Sequence, residues 1–327
     1  MEELKIIHTP VLLSQTLEYL APKNTDDDIL LIDSTLGEGG HSNAFLSTFP
    51  NMHVMGLDAD CTIQAKAKKR LAVYGDRMNF FNGWFNDFYA DYPENLPKPD
   101  RILFDLGISV FHYEDSKRGF SFRADEPLDM RLDSGNFSDS AHFNGTYTGM
   151  SAQDLVNKIN ETELANIIFE YAEERYSRRI ARAIVEKRQL SPIQTAKDLA
   201  DCIYHAVPAD YRHGAIHPAT KTFQAIRIAV NGELERVNAV LSDAFAVLKP
   251  GGRMGVITFH SLEDRIVKKY FQYLGKYCTC PVNQPICICG GKPKANVITR
   301  KPVGPTPDEI KENAPSRSAK LRVIEKL

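Results

Sequence analysis

The chain has 327 residues, a length that allows one large domain or two of moderate size. It is 43% hydrophobic and 25% charged, which excludes wholesale disorder and collagen-like repeats. No apolar run approaches the ~20 residues that span a bilayer, and the first residues are acidic where a secretory signal would be basic. We therefore expect a soluble, cytoplasmic protein, in which six cysteines do not form a disulfide scaffold.

The charge is unevenly distributed along the chain, although the net charge is only -2. Residues 1–115 carry a balance of -9, residues 116–220 of -2 and residues 221–327 of +9. An acidic first third and a basic last third favour an anionic partner that meets only part of the molecule. Drift in composition is the alternative interpretation.

Strands and helices alternate in the first third, which is typical of a parallel α/β sheet. The predicted strands are Ile29–Ile32, His53–Leu57, Met78–Phe81 and Arg101–Phe104, and the predicted helices are His41–Phe49 and Ile63–Leu71. Unbroken apolar runs of this kind predict strands that are buried on both faces.

The pattern changes after the fourth strand. Residues 116–150 are rich in Gly, Ser, Asp and Asn without a sustained period, which predicts a long surface loop. The pattern of residues 151–211 predicts helices, the first of which begins with a near capping box formed by Ser151 and Asp154. Strands return late, at 255–259 and 321–324. This order predicts an α/β, Rossmann-like core in two parts, 1–115 and 217–327, interrupted by a helical substrate-recognition domain at 116–216.

The first strand leads into a glycine-rich turn at 37–40 and then a helix, and Asp58 ends the second strand 21 residues after Gly37. Glycines allow a nucleoside to approach the backbone, and a carboxylate in this place can accept hydrogen bonds from ribose hydroxyls. A nicotinamide-dependent oxidoreductase is one interpretation, although Ser42 stands where the third glycine of that fingerprint would be.

Acidic residues near the ends of the strands favour S-adenosylmethionine instead. Asp33, Glu38, Asp58 and Asp105 would repel a pyrophosphate but attract a sulfonium and an ammonium group. The turn at 248–252 also resembles the turn before the fifth strand of many methyltransferases. A non-catalytic RNA-binding or assembly factor that keeps the fold is a third interpretation.

Several blocks of sequence resemble the RsmH (MraW) family, which methylates a cytidine N4 in bacterial 16S rRNA. The resemblance covers nearly the whole chain. The blocks are His8–Leu13, Asp33–Ser42, Asp105–Ser109, Arg118–Phe122, Pro127–Arg131, Glu173–Arg175, His217–Ala225, Phe259–Arg265 and Ser316–Arg322.

The resemblance implies a class I S-adenosylmethionine-dependent methyltransferase fold and a cytidine substrate in the decoding region of 16S rRNA, within the small ribosomal subunit. The cofactor contacts that it implies are Gly39, Gly40, His41, Asp58, Phe85, Asp105 and His112. At His112 members of the family often have Gln. Ala314 and Pro315 also depart from the usual Asn-Pro-Arg, which removes or moves one basic contact.

Three residues at predicted strand ends are candidates for catalysis: Asp105 after the fourth strand, and His260 and Ser261 after the fifth. A cytosine N4 amine is a weak nucleophile that must be positioned in line with the methyl–sulfur bond. Pure cofactor binding is the alternative for Asp105, and a helix cap is the alternative for His260 and Ser261.

Basic residues in the middle of the chain are candidates for binding RNA. The spacing of Arg175, Arg178, Arg179 and Arg182 predicts one helix face that could follow a phosphate backbone, or else a solvated face paired with glutamates. Lys221 and Arg227 extend the basic set.

Four cysteines cluster near the C-terminus, at 278, 280, 287 and 289. Zinc binding, reduced thiols and a redox pair are all compatible with this spacing, although structural zinc sites more often use Cys-x-x-Cys pairs. We predict no metal in the site.

Overall fold

The structure is a computed structural model. It describes residues 9–133, 147, 149–214, 216–278, 280, 281, 284–286, 288 and 290–327. The chain divides into two compact units. We call Met1–Ile108 with Arg236–Leu327 the sheet unit, and Ser109–Glu235 the helical unit.

The helices are α1 Leu13–Leu20, α2 Gly40–Thr48, α3 Cys61–Leu71, α4 Phe85–Ala90, α5 Val110–Glu114, α6 Ala152–Lys158, α7 Glu161–Ala172, α8 Ser177–Leu190, α9 Ala196–Ala206, α10 Ala209–Arg212, α11 Ala219–Asn231, α12 Glu233–Val247, α13 Ser261–Leu274 and α14 Pro307–Glu312. The strands are β1 Ile29–Asp33, β2 Met52–Asp58, β3 Met78–Asn82, β4 Arg101–Asp105, β5 Arg253–Thr258, β6 Ala295–Val297 and β7 Lys320–Lys326.

The sheet unit contains a seven-stranded sheet in the order β3-β2-β1-β4-β5-β7-β6. Strands β1 to β5 pair in parallel, whereas β7 runs antiparallel to both β5 and β6. All six of the predicted strands are present, with ends that differ from the expected runs by one or two residues. Strand β6 was not predicted. The α/β fold class predicted from the sequence is confirmed.

Two apolar cores lie on the two faces of this sheet. Alternate residues of one strand join different cores: Leu31 packs with α1 and α2, and Ile32 packs with α12 and α13. Leu103 and Phe104 of β4 divide in the same way. Burial on both faces explains why the central strands are continuous apolar runs rather than alternating ones.

The helical unit is built around α7, which packs against α8 and α11. The capping box at the start of α6 is confirmed, because the Ser151 hydroxyl accepts the Asp154 N–H at 3.0 Å and the Asp154 carboxylate accepts the Ser151 N–H. Much of the predicted loop at 116–150 lies outside the described residues, at 134–146 and 148.

The helical unit is longer than the insertion that we expected at 116–216. Helix α11 follows residue 216 and was assigned to the second part of the core, but it packs against α6, α7 and α9 and belongs to the helical unit. At the other end, the helical unit begins at Ser109. Within the part of the chain that the structure describes, no helix has the length and apolar character needed to cross a membrane.

Candidate active site

The glycine-rich turn between β1 and α2 is tied to the end of β2 by Asp58. One carboxylate oxygen of Asp58, Oδ2, accepts the N–H of Gly37 at 2.8 Å, and the other, Oδ1, accepts the N–H of Asp60 at 2.8 Å. Gly39 has a φ of 77°, and a Cβ there would lie 2.7 Å from Leu71. The turn therefore needs glycine at this position, both for its backbone and for its close contact with α3.

Asp33 at the end of β1 explains the serine that breaks the dinucleotide fingerprint. The carboxylate is 1% exposed, and its Oδ2 accepts the Ser42 hydroxyl at 2.6 Å. A glycine at position 42 would leave that oxygen without this donor. Ser42 therefore stabilises a buried carboxylate under the turn, a role that the sequence pattern did not indicate.

Asp105 at the end of β4 holds a carboxylate that is only partly satisfied. Its backbone N–H donates to the Thr35 hydroxyl at 2.6 Å, and its Oδ2 lies 3.7 Å from Nδ1 of His41. The other oxygen, Oδ1, is buried and has no hydrogen-bond partner among the described residues. On its far side, the His41 ring donates from Nε2 to the Val11 carbonyl at 3.0 Å.

Burial raises the pKa values of all three carboxyl groups above the ordinary value of 3.8. Desolvation is the main cause, and it brings the pKa of Asp33 to about 6, of Asp58 to about 7 and of Asp105 to about 8. The charge of Asp33 adds to the rise at both of the other groups. Hydrogen bonds, including those from Ser42 to Asp33 and from Gly37 to Asp58, oppose it.

These three carboxyl groups end neighbouring strands at one edge of the sheet. Within the described residues, no lysine or arginine forms an ion pair with Asp33, Asp58 or Asp105. Glu38, which was expected in this acidic set, is instead 3.7 Å from Lys66 of α3. The remaining arrangement fits a ligand that carries positive charge and disfavours a pyrophosphate.

Two aromatic residues, Phe85 and Phe259, follow strands β3 and β5 at the same edge of the sheet. Phe85 begins α4, shortly after β3, and its ring meets that of Phe104 edge-on at 5.6 Å between centroids. After β5, Phe259 packs so closely on Gly107 that a Cβ at position 107 would lie 2.6 Å from its ring. The glycine of the Asp105-Leu106-Gly107 motif therefore allows β4 and β5 to end side by side.

His260 and Ser261 lie at the start of α13. His260 is the N-cap residue, and its Nε2 lies 3.0 Å from Oε1 of the buried Glu263. The other oxygen of Glu263 accepts the N–H of Phe259 at 2.8 Å. The helix-cap interpretation thus describes the position of His260, while Ser261 is exposed in the first turn.

Comparison with known proteins agrees with this geometry. The model of the MraW methylase family matches residues 5–327. The chain belongs to the MraW methylase family. It is therefore an S-adenosylmethionine-dependent methyltransferase of the class I fold, and methyl transfer replaces the oxidoreductase and assembly-factor interpretations.

Curated relatives of this methylase match it over nearly their full length. Proteins named ribosomal RNA small subunit methyltransferase H are 56% identical in Treponema denticola and 45% identical in Carboxydothermus hydrogenoformans, each with 98% of both chains covered. The protein of that name in Brevibacillus brevis is 43% identical, with 100% of both chains covered.

One of the expected cofactor contacts of the methylase, His112, lies in the helical unit. It is 5% exposed, and its ring centroid is 5.3 Å from that of Phe120. A buried imidazole can still donate or accept one hydrogen bond where family members have Gln. Its contact with the cofactor stays a prediction.

The expectation that four arginines share one helix face is wrong for Arg175. Glu173 ends α7 in a left-handed conformation, with a φ of 49°, and α8 begins only at Ser177. Arg175 lies between the two helices and contacts the Tyr176 and Tyr211 rings. The other three arginines are exposed on α8, and Arg182 is 3.7 Å from Glu161.

Arg227 is engaged within the helical unit rather than presented to RNA. Its Nε and one terminal nitrogen donate to the two oxygens of Glu233, each at 2.8 Å, and both side chains are nearly buried. This pair gives Arg227 a structural role that the sequence did not indicate. Lys221, six residues earlier on α11, is only partly buried.

The cysteine cluster is only partly described. Cys287 and Cys289 lie outside the described residues, as does His8 of the first sequence block. Zinc binding, reduced thiols and a redox pair therefore stay as hypotheses for Cys278, Cys280, Cys287 and Cys289.

Proposed function

We propose that this methylase transfers a methyl group from S-adenosylmethionine to N4 of a cytidine in the decoding region of 16S rRNA, within the small ribosomal subunit. The relatives' name supports a ribosomal RNA substrate. The observation that carries the chemistry is the buried oxygen Oδ1 of Asp105, which has no hydrogen-bond partner among the described residues although it lies at the carboxyl edge of the sheet. The proposal places the enzyme in the cytoplasm, where small subunits are assembled.

In this proposal the cofactor lies along the edge formed by β1, β2 and β4. Gly39, Gly40 and His41 approach it from the turn, Asp58 accepts its ribose hydroxyls, and Phe85 packs against it. Asp58 keeps lone pairs for this purpose, because each of its oxygens accepts one backbone N–H in the turn. When bound, the cofactor supplies an electrophilic methyl group on a positively charged sulfur.

Asp105 acts at the other end of that edge. A cytosine amine is a weak nucleophile because its lone pair is delocalised into the ring, and it becomes stronger as the nitrogen pyramidalises. Oδ1 of Asp105 can accept one N4 proton and so hold the amine in line with the methyl group. Asp105 would also take up, directly or through water, the N4 proton that the amine loses when it accepts the methyl group.

His260 and Ser261 are proposed to position the base beside Asp105. They follow β5, whose Ile257 pairs in register with Asp105, so all three residues lie at one edge of two adjacent strands. The Ser261 hydroxyl is exposed in the first turn of α13 and is available to a polar edge of the base. Arg175, Arg178, Arg179, Arg182 and Lys221 supply positive charge for the RNA backbone.

The direct test is label transfer from methyl-labelled cofactor to small subunits that lack the modification, followed by mass mapping of the nucleosides. Label in N4-methylcytidine supports the proposal, and subunits that already carry the modification serve as the control. Label in another nucleoside would contradict the assigned acceptor. RNA binding without label transfer would contradict the catalytic role.

A further inference from the structure

The helical unit contains a cavity of about 480 Å³, a size within the ~300–1,000 Å³ range of small-molecule sites. The side chains that matter among those lining it are Arg175, Tyr176, Asp210, Tyr211, His217 and Lys221. None of the residues assigned to the cofactor lines this cavity. It is therefore a separate feature of the methylase, with two cations, two tyrosines, one imidazole and one carboxylate.

Tyr176 and Tyr211 are both hydrogen-bonded to the buried carboxylate of Glu174. Glu174 is fully buried and accepts the Tyr211 hydroxyl at 2.5 Å through one oxygen and the Tyr176 N–H at 2.9 Å through the other. Burial and the bond to Glu174 raise the pKa of Tyr211 to about 12, so its hydroxyl stays protonated and donates. The two rings meet edge-to-face with centroids 4.9 Å apart, which gives the cavity a preformed aromatic wall.

Arg175 is stacked on that wall. Its guanidinium carbon lies 4.8 Å from the Tyr176 ring centroid and 5.1 Å from the Tyr211 ring centroid. Arg175 is nevertheless exposed as a residue and lines the cavity. A planar guanidinium held in this way offers both a positive charge and a flat surface, the combination on which unstacked RNA bases are often held.

His217 and Lys221 contribute polar groups to the same lining, around the start of α11. The His217 ring is stacked between Phe122 at 4.6 Å and Tyr204 at 5.9 Å, and its Nδ1 accepts the Ala219 N–H at 3.2 Å. The neutral ring therefore carries its proton on Nε2 and can donate it. Lys221 adds an ammonium group one turn further along the helix.

We propose that this cavity binds an unstacked nucleotide of the RNA substrate other than the cytidine that is methylated. The base stacks on Arg175 and the two tyrosines, Lys221 and His217 hold the phosphate, and the Asp210 carboxylate accepts from the base or the ribose. A simple anion site would not need the aromatic wall, and a site for an apolar ligand would not need two cations. This inference rests on the proposed function, because it assumes an RNA substrate.

The test measures binding of the full chain to a fluorescent single-stranded RNA of about twelve nucleotides and mixed sequence, within the ~4–16 nucleotides that one single-strand-binding module covers. Tyr211→Leu removes part of the wall and Lys221→Gln removes the ammonium group. Each should weaken binding roughly tenfold, the scale of removing one stacking or phosphate interaction. The matched controls are Phe169→Leu and Lys197→Gln, which change exposed residues of the same unit outside the lining and should bind as the wild type does.

Three further measurements separate this role from others. S-adenosylhomocysteine should bind all variants equally, which also reports a folded sheet unit, and circular dichroism should show intact helices for Tyr211→Leu. For Tyr211→Leu, methylation of small subunits at saturating concentration should keep its rate while the half-saturating concentration rises. Free cytidine monophosphate should compete with the labelled RNA better than inorganic phosphate does.

Equal RNA affinity in the wild type, Tyr211→Leu and Lys221→Gln would overturn the assignment, and with it the role of Lys221 in RNA binding, while leaving the proposed methyl transfer intact. A wild-type chain that binds no RNA would overturn both. A collapse of the saturated rate in Tyr211→Leu would mean that the target base itself occupies the cavity, and equal competition by phosphate would mean a simple anion site. Either result contradicts the proposal.

Discussion

Asp105 and His41 face each other at the carboxyl edge of the sheet, with Oδ2 of the carboxyl 3.7 Å from Nδ1 of the imidazole. The carbonyl of Val11 can only accept a hydrogen bond, so the His41 Nε2 at 3.0 Å donates to it. In the neutral ring Nδ1 is then an acceptor that faces the carboxyl group. Burial, with the negative charges of Asp33 and Glu263 in support, raises the pKa of Asp105 to about 8 and so favours its protonated form.

The first prediction concerns pH. The folded-state pKa values of Asp33, Asp58 and Asp105 lie above 3.8, so the folded chain binds these protons more tightly than the unfolded chain does. Their contribution to stability is therefore present at low pH and is lost as the pH rises through about 6 to 8. A positively charged cofactor offsets this loss, because it stabilises the ionised carboxylates.

The pH effect is measured as the difference in melting temperature produced by saturating S-adenosylmethionine and by uncharged-sulfur S-adenosylhomocysteine. We expect the difference to grow between about pH 6 and about pH 7.5. In Asp105→Asn this difference in melting temperature should increase less with pH, because one titrating group has been removed. A difference that is independent of pH in the wild type would contradict the electrostatic description of the site.

The second prediction concerns Asp58. Asp58→Ala removes charge-assisted hydrogen bonds to the ribose, so it should weaken the binding of S-adenosylhomocysteine by about 2–3 kcal/mol in calorimetry. Asp28→Ala is the matched control, because Asp28 is 82% exposed and lies before β1, away from the glycine turn. Full affinity in a folded Asp58→Ala chain would show that Asp58 does not hold the cofactor.

The third prediction separates two kinds of arginine in the helical unit. Arg227→Gln leaves the carboxylate of Glu233 nearly buried without its partner, and it should lower the free energy of unfolding by about 3 kcal/mol. Arg178→Gln makes the same change of charge at an exposed position and should alter stability by less than about 0.5 kcal/mol. Denaturant titration compares the two, and equal effects would refute the structural role of Arg227.

The fourth prediction concerns the exposed arginines of α8. Replacing Arg178, Arg179 and Arg182 by Gln should make RNA affinity less dependent on salt. The slope of log affinity against log salt concentration should become shallower by ~0.7–0.9 for each phosphate that is no longer neutralised. Affinity for S-adenosylhomocysteine should stay the same. An unchanged salt dependence would return these arginines to a solvated face, of which the ion pair between Arg182 and Glu161 would then be typical.

The central strands and the glycine turn could be predicted from the sequence because each follows from local chemistry. Burial on both faces imposes a continuous apolar run such as Ile29–Ile32, and the turn after it needs glycine. The carboxylate at the end of β2, Asp58, could also be predicted, because it lies 21 residues after Gly37 of the turn. These features indicated the positions of Asp58 and Asp105 before any tertiary contact was known.

Other features depend on contacts that no local pattern carries. The approach of His41 to Asp105 depends on the parallel register of β1 and β4, and the bond from Ser42 to Asp33 depends on how α2 packs. Helical spacing placed Arg175 on α8, yet the left-handed residue Glu173 separates it from that helix. The assignment of α11 to the helical unit likewise follows from its packing, not from its own sequence.

The central claim is that Asp105 contacts both the cofactor and the cytidine N4 amine that accepts the methyl group. Asp105→Asn keeps the size of the side chain and one acceptor oxygen but removes the charge. Interactions that strengthen in the transition state change the chemical rate more than they change binding of the ground state. Asp58→Ala is the internal comparison, because its effect should fall on affinity.

The decisive measurement is therefore the single-turnover methylation rate of Asp105→Asn at saturating S-adenosylmethionine and saturating small subunits, beside its directly measured affinity for S-adenosylhomocysteine. We expect the rate to fall at least about 100-fold, the usual scale for losing a positioned proton acceptor, with a smaller loss of affinity. A wild-type rate at saturation, with only the affinity reduced, would contradict the catalytic role and leave Asp105 as a cofactor contact alone.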